Sequence, residues 1–329
     1  LLIPQSNDPI AIIPSIGETA LQKTWIKNIQ TWPSPQPEDE GISALMESLK
    51  NIIPHKGNIG CELGQESHLR MSINDFDTLR KNLSNCNFID ASEIIWQLRI
   101  IKSQEEIKKI KKIISIASDV FDNLPNYIKI GMTEIEICNI FKKELLNKGA
   151  DHTLYMSCAS GVGGYNQIIC DPTEKKLQDG DLLIIDTGTT LDGYFCDFDR
   201  NYGFGNIKKE VNDAYLILWE ATEKAFEKTK PGLTCADISN AMGSILNKPN
   251  LASNSVGRMG HGLGLQLTEP PSIMNSDKTI LKENMIITIE PCYEYLPGKM
   301  IVIEENILIT KDGYELLTSR TPKLLPIIN

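Results

Sequence analysis

Asp186, Asp197, His261, Glu290 and Glu304 have the types and order of a metal-binding set. Asp186 ends the apolar run Leu182–Ile185, and Asp197 lies eleven residues further on, inside an aromatic-rich stretch. A strand, a turn and a returning strand would set the two carboxylates side by side. Buried carboxylates are costly unless paired or coordinated, and like charges so placed repel unless a cation lies between them. Glu290 ends the run Met285–Ile289 and precedes Pro291, which stops strand pairing; Glu304 ends the run Met300–Ile303. His261 stands in Met259-Gly260-His261-Gly262-Leu263-Gly264, where glycines let the backbone approach a site closely. One acid after a strand is ordinarily a turn residue, and one histidine between glycines a polar loop residue; four acids and a histidine in this order point to a shared cation. Four carboxylates and one imidazole do not suit a structural zinc site, which prefers sulfur and nitrogen. They suit two divalent ions (Mn²⁺, Fe²⁺, Co²⁺ or Zn²⁺) that activate water, and hence a metal-dependent hydrolase.

These side chains need rigid carriers. Ser103 and Glu106 form a capping box, and Ile107, Ile110, Ile113, Ile114, Ala117, Val120, Phe121 and Leu124 follow at helical spacing until Pro125. Lys108, Lys109, Lys111 and Lys112 fill the opposite, solvated face. A second box, Thr133 with Glu136, opens a helix ending near Gly149. Strands are predicted from Leu182, with Gly193–Tyr202 half-buried. Helices follow over Glu210–Lys228 and, behind Thr234, over Ala236–Leu246. Strands return at Met285–Glu290 and Met300–Ile309. This order predicts an α+β domain over 103–329 whose helices cover one face of a sheet.

Residues 1–102 read as a smaller α/β unit: the apolar runs Ile10–Ile13, Gly57–Cys61 and Asn87–Ile89 alternate with helical stretches such as Ile42–Ile52. Thr31–Gly41, with three prolines, reads as a loop, and Trp25 and Trp32 beside it are expected in core or interface packing. The whole chain of 329 residues is long enough for two domains. Its net charge of −10 argues against a nucleic-acid partner, which needs a basic surface. No apolar run is long enough for a membrane span. Eight scattered cysteines without CxxC pairs predict buried free thiols in a reducing, cytoplasmic setting. The start, Leu1-Leu2-Ile3-Pro4, reads as truncated.

The order Asp, Asp, His-Gly-x-Gly, Ile-Glu-Pro, Ile-Glu-Glu resembles the M24 or pita-bread family, which holds methionine aminopeptidase, aminopeptidase P, prolidase and creatinase. The resemblance covers about residues 103–329, and residues 1–102 look like part of the creatinase/prolidase N-terminal domain. It implies that Asp186 chelates one ion, that Asp197 and Glu304 bridge two, and that His261 and Glu290 complete the second. It also implies Glu290 as proton shuttle, manganese as the first choice of metal, and a homodimer. The default activity is Xaa-Pro dipeptidase or aminopeptidase cleavage of a short peptide.

Three positions depart from the family pattern. A histidine normally stands before Pro-Thr, about seventeen residues ahead of the first metal Asp; here the stretch reads Asn166-Gln167-Ile168-Ile169-Cys170-Asp171-Pro172-Thr173. Thr268 stands where a second histidine precedes Glu-x-Pro, and Val302 stands where an arginine is common. Each missing donor would cut peptide hydrolysis by about 10²–10³, by analogy with oxyanion-hole deletions. Candidate replacements are Thr268 and Glu269 as catalytic groups and Tyr155, Tyr165 and Asn166, near Ser160, as substrate contacts. An ion pair of Asp199 with Arg200, or one made by Asp192, is expected to position the hairpin. The departures keep three other readings open: a hydrolase of a small non-peptide metabolite (a cyclic amidine, guanidino acid or betaine-like osmolyte), a metal-dependent lyase, and a binding module.

Overall fold

A computed structural model describes residues 1–53, 55–246 and 257–329, which divide into the units Leu1–Ile95 and Trp96–Asn329. In the first unit, β1 (Ile10–Pro14) precedes a single helical turn, α1 (Glu18–Leu21), and pairs in parallel with β2 (Asn28–Trp32). Helix α2 (Ile42–Ile52) leads to β3 (Asn58–Cys61), and α3 (Ile73–Asn82) leads to β4 (Asn87–Asp90), again a parallel pair. Leu49, Ile59 and Leu83 close a small core between them. Trp25 takes no part in that core: it is 70% exposed, which removes core packing as its role.

After α4 (Ser92–Ile100), the second unit begins its main framework with α5 (Gln104–Asn123). Both boxes form: Ser103 caps α5 with Glu106, and Thr133 caps α6 (Glu134–Asn147) with Glu136. Three long antiparallel strands follow, β5 (His152–Val162), β6 (Asp181–Leu191) and β7 (Tyr194–Phe204). Leu183 and Ile185 of β6 and Cys196, Phe198, Tyr202 and Phe204 of β7 turn one face of this sheet toward α5 and α6. Phe121 joins the layers, its ring 4.5 Å from Phe141 of α6 and 5.1 Å from Phe198, while its carbonyl accepts the Tyr202 hydroxyl at 2.8 Å. Deleting a buried ring of this kind costs about 3–5 kcal/mol.

The rest repeats the plan. Helices α7 (Lys209–Glu227) and α8 (Cys235–Leu246) precede β8 (His261–Gly262), β9 (Glu269–Ser272), β10 (Ile286–Ile289), β11 (Cys292–Leu296), β12 (Lys299–Val302) and β13 (Glu305–Ile309). Strands β14 (Tyr314–Leu316) and β15 (Ile327–Ile328) end the chain at the edges of two sheets, ordered β14-β13-β10-β8-β9 and β15-β7-β6-β5. Leu218, Met242, Ile287, Ile289 and Ile307 share the core that carries α7 and α8.

Two strand expectations change, and β5 is a strand for which the sequence gives no expectation. β7 is buried on both faces rather than one. The run Met300–Ile309 is not one strand. β12 pairs with β11 while β13 pairs with β10, so the chain changes sheets at Ile303-Glu304 and Glu304 stands at the corner. Among the described residues no helix is long and apolar enough to cross a membrane.

Candidate metal centre

The hairpin between β6 and β7 turns at Asp192-Gly193, whose φ values are +51° and +80°. Two successive positive φ angles make a tight hairpin turn that matches strand twist, and Asp-Gly adopts it with little strain. The ladder that follows sets Asp186 opposite Asp199 and Asp197 opposite Gly188. Successive side chains alternate faces. Asp186, Asp197 and Asp199 therefore share the face turned away from α5 and α6.

The second half of the site comes from β8, β10 and the corner before β13. Gly262 packs so tightly against β9 that a Cβ there would lie 2.1 Å from the Pro270 carbonyl oxygen, which fixes glycine after His261. Thr288 of β10 accepts the His261 amide at 3.1 Å and donates to Glu290 Oε1 at 3.4 Å. His261 Nδ1 lies 2.9 Å from the Gly262 carbonyl and donates to it, so Nε2 keeps a lone pair. That nitrogen stands 3.4 Å from Asp197 Oδ2 and 3.4 Å from Glu290 Oε1. Asp197, His261 and Glu304 offer ligand atoms that all lie within 4.8 Å of one another.

Burial sets the electrostatics. It pushes Asp186 up to about 6 and, with help from Asp186, Glu290 up to about 8. Burial first and neighbouring carboxylates second raise Asp197 and Glu304 well above the usual carboxylate range. The His261 imidazole is held down to about 4 by burial and stays neutral. Asp186 Oδ1 and Glu304 Oε1 are buried with no hydrogen-bond partner. Buried polar atoms are almost always satisfied. Orphaned anionic oxygens beside a neutral imidazole lone pair fit a divalent cation and fit little else.

The other candidates divide. The Tyr155 hydroxyl bonds to Asp186, at the edge of the cluster. Thr268 is half-buried, its hydroxyl 3.5 Å from Arg258 Nη2. Asn166 is exposed on the loop after β5. Tyr165 is 1% exposed; its hydroxyl donates to Asn201 at 3.0 Å and accepts the Val302 amide at 2.9 Å, which ties β7 to β12. Glu269 is fully buried and committed to cations: Oε1 takes Arg99 and the Gln266 amide, and Oε2 takes Lys102 at 3.4 Å. Ser160 bonds to Glu134 and Lys175, away from the cluster.

Sequence reasoning passed over Asn306, Thr288 and Arg258 as positioning groups and gave Arg200 another partner. Asn306 accepts the Asp197 amide at 3.2 Å. Arg200 donates to the carbonyls of Asp199 at 2.6 Å and Glu304 at 2.8 Å, clamping the two halves of the site together. Its ion pair is with Glu305 at 3.0 Å and not, as expected, with the Asp199 carboxylate. Asp192 pairs only with exposed Lys109, at 3.6 Å, a contact that contributes little. Arg258 also donates to Ser272 at 3.3 Å, and its charge opposes the upward pKa shifts of Asp197 and Glu290. A strand-face alternation count flags Thr288, two residues before Glu290; nothing local flags Arg258.

Two sheets meeting around a buried carboxylate–imidazole group, backed by the helix pairs α5/α6 and α7/α8, define a pita-bread protein with a metal-type centre. The pattern of metallopeptidase family M24 matches residues 108–311, and that of the creatinase/prolidase N-terminal domain matches residues 1–101. The chain belongs to metallopeptidase family M24. An uncharacterized peptidase of Staphylococcus aureus (strain USA300) is 33% identical over 239 residues, 70% of this chain; the chain spans 66% of that relative's length. A prolidase from Thermococcus sibiricus superposes with a TM-score of 0.87 at 26% identity, over 98% of this chain and 86% of its own. An X-Pro aminopeptidase from Thermotoga maritima MSB8 gives 0.82 at 27%, over 98% and 88%. A Xaa-Pro dipeptidase from Bacillus anthracis gives 0.83 at 25%, over 96% and 85%.

Proposed function

We propose that this chain is a dinuclear metal-dependent hydrolase that cleaves short peptides with proline after the scissile bond. The observation that carries the reading is the buried group of Asp197, His261 and Glu304, with Glu290 against the same imidazole nitrogen. Orphaned oxygens on Asp186 and Glu304 add to it, and the prolidase and X-Pro aminopeptidase neighbours give the substrate class.

Asp186, Asp197, His261, Glu290 and Glu304 would hold two divalent ions, manganese first. Bound there, such ions supply Lewis acidity and a water acidic enough to react at neutral pH. The chain's own groups do the rest. The Gly262 carbonyl fixes the imidazole tautomer, and Thr288 holds both His261 and Glu290. Glu290, whose side chain is 25% exposed, is the ligand placed to take a proton and return it to the leaving amine. The Tyr155 hydroxyl orients Asp186. Thr268 and Arg258, joined at 3.5 Å, are the donors placed to steady a developing oxyanion where a histidine is absent. Asn166 is a candidate contact for the distal part of the substrate. Glu269 and Tyr165 serve as braces. The functional division falls near Lys102, the working form is a cytoplasmic homodimer, and the substrate is a small molecule or short peptide.

The test is elemental analysis followed by assay of the Mn²⁺-loaded protein against Xaa-Pro dipeptides. Two ions with turnover support the reading. Two ions without it would redirect the search to a non-peptide metabolite, and failure to take up metal would remove the mechanism.

A further inference from the structure

Asp199 stands directly across the ladder from Asp186. The Cα atoms of such a pair lie about 4.5–5.5 Å apart, with both side chains on one face. Asp199 is 2% exposed. Its Oδ1 accepts the Asn201 side-chain amide at 3.3 Å, while its Oδ2 is buried without a hydrogen-bond partner. Asp186 opposite it also carries a buried orphan oxygen, Oδ1. The neighbouring Arg200 does not answer either one: it lies on the other face, over Phe198, and its donors go to backbone carbonyls and Glu305. A carboxylate buried without counter-charge is strongly disfavoured. Two orphaned oxygens on one directly opposed pair would both be satisfied by a single cation that they coordinate together.

We propose that Asp199 is a further metal ligand, acting through Oδ2 on the same divalent ion that Asp186 Oδ1 holds. The inference rests on the metal-centre reading above and extends it from five protein ligands to six. Asp186, Asp197, Glu290 and Glu304 match the charge of two divalent ions; Asp199 leaves one negative charge over, which tightens the hold on the cations. The carboxylate is presented by a relay. The Tyr165 hydroxyl fixes Asn201 at 3.0 Å, Asn201 is fixed again by its 2.6 Å bond to the Val302 carbonyl, and its amide then orients Asp199.

The experiment uses the full chain, stripped with chelator and titrated calorimetrically with Mn²⁺ alone, beside Asp199→Asn. The amide keeps the shape and the Asn201 contact and removes the charge. The expected result is affinity weakened about 10–100-fold for at least one ion, the range seen when groups that orient or support a metal site are lost. A loss smaller than threefold, or tighter binding, overturns the proposal, since it would mean that Asp186 and Asp199 share a proton instead. Should the amide variant not fold, by circular dichroism, Asp199→Thr is read against the same threshold. A wild-type chain that takes up no Mn²⁺ sinks the metal-centre reading itself, a result distinct from a wild-type chain that binds two ions and a variant that binds them equally well.

Discussion

Stripping the metal should destabilise this protein by an amount that grows with pH. In the metal-free site Glu290 lies at about 8 against an ordinary 4.5, and Asp186 at about 6 against 3.8. An acid raised in this way binds more protons folded than unfolded between its two values, so stability falls as pH rises through that window. For Glu290, the three units from about pH 5 to about pH 8 correspond to about 4 kcal/mol at 1.36 kcal/mol per unit. A proton on either carboxylate relieves both, so we count Glu290 alone and take about 2–4 kcal/mol. Bound cations cancel the repulsion and with it the pH dependence. The difference in melting temperature between loaded and stripped protein should therefore widen from pH 5 to pH 8 by roughly 5–15 °C. Thermal unfolding followed by circular dichroism, with excess Mn²⁺ or with chelator at both pH values, measures it. A constant gap, or one that narrows toward pH 8, would refute the electrostatic account of the cluster.

Five further variants test the same contacts. Asp197→Ala should abolish Mn²⁺ uptake and turnover together, as elemental analysis and a dipeptide assay would show; full activity in that variant would end the dinuclear reading. Glu269→Gln leaves buried Lys102 and half-buried Arg99 without their counter-charge and should cost about 3–5 kcal/mol in denaturant unfolding. Tyr165→Phe should lower stability by about 1–2 kcal/mol with no change in KM, whereas Tyr155→Phe should weaken Mn²⁺ binding; a raised KM for the first would restore Tyr165 as a substrate contact. Arg258→Met should lower kcat by about 10²-fold while metal content stays at the wild-type level, and steady-state kinetics beside elemental analysis would show both.

What the sequence discloses depends on how local the signal is. The capping boxes at Ser103 and Thr133 are written in four residues each, and both helices start where those residues place them. Acids that end apolar runs at Asp186, Glu290 and Glu304 stand out against the hydrophobic residues before them, although Asp186 lies in the middle of β6 and not at its end. β5 is obscure for the opposite reason: its Ser157-Cys158-Ala159-Ser160-Gly161 stretch is small and mixed, without the alternation that marks a half-buried strand. Asp199 is hidden by register, since only the Asp192-Gly193 turn puts it across from Asp186. Glu269 reads as a free acid beside the histidine motif because its partners, Arg99 and Lys102, lie 170 and 167 residues away. Tyr165 is similar: a loop tyrosine by sequence, a buried brace once Val302 is brought to its hydroxyl.

Two charges near the centre, Asp199 and Arg258, have opposite signs, and Asp197 feels both. Asp199 adds a carboxylate on the β6–β7 side, across from Asp186, which the Tyr155 hydroxyl meets. Arg258 adds a guanidinium on the β8–β10 side, within electrostatic reach of Asp197, Glu290 and His261. A ligand set with surplus negative charge holds divalent ions tightly but makes them weaker Lewis acids, because the carboxylates neutralise the field that polarises a carbonyl. A fixed cation opposite the surplus restores part of that field without competing for the ligands. Guanidinium suits the task better than ammonium, since it remains charged at any working pH and its planar fork can meet an oxyanion with two donors. On the proposed metal-centre reading, Asp199 and Arg258 would compensate for the absent histidine by redistributing charge rather than by substituting another titratable donor.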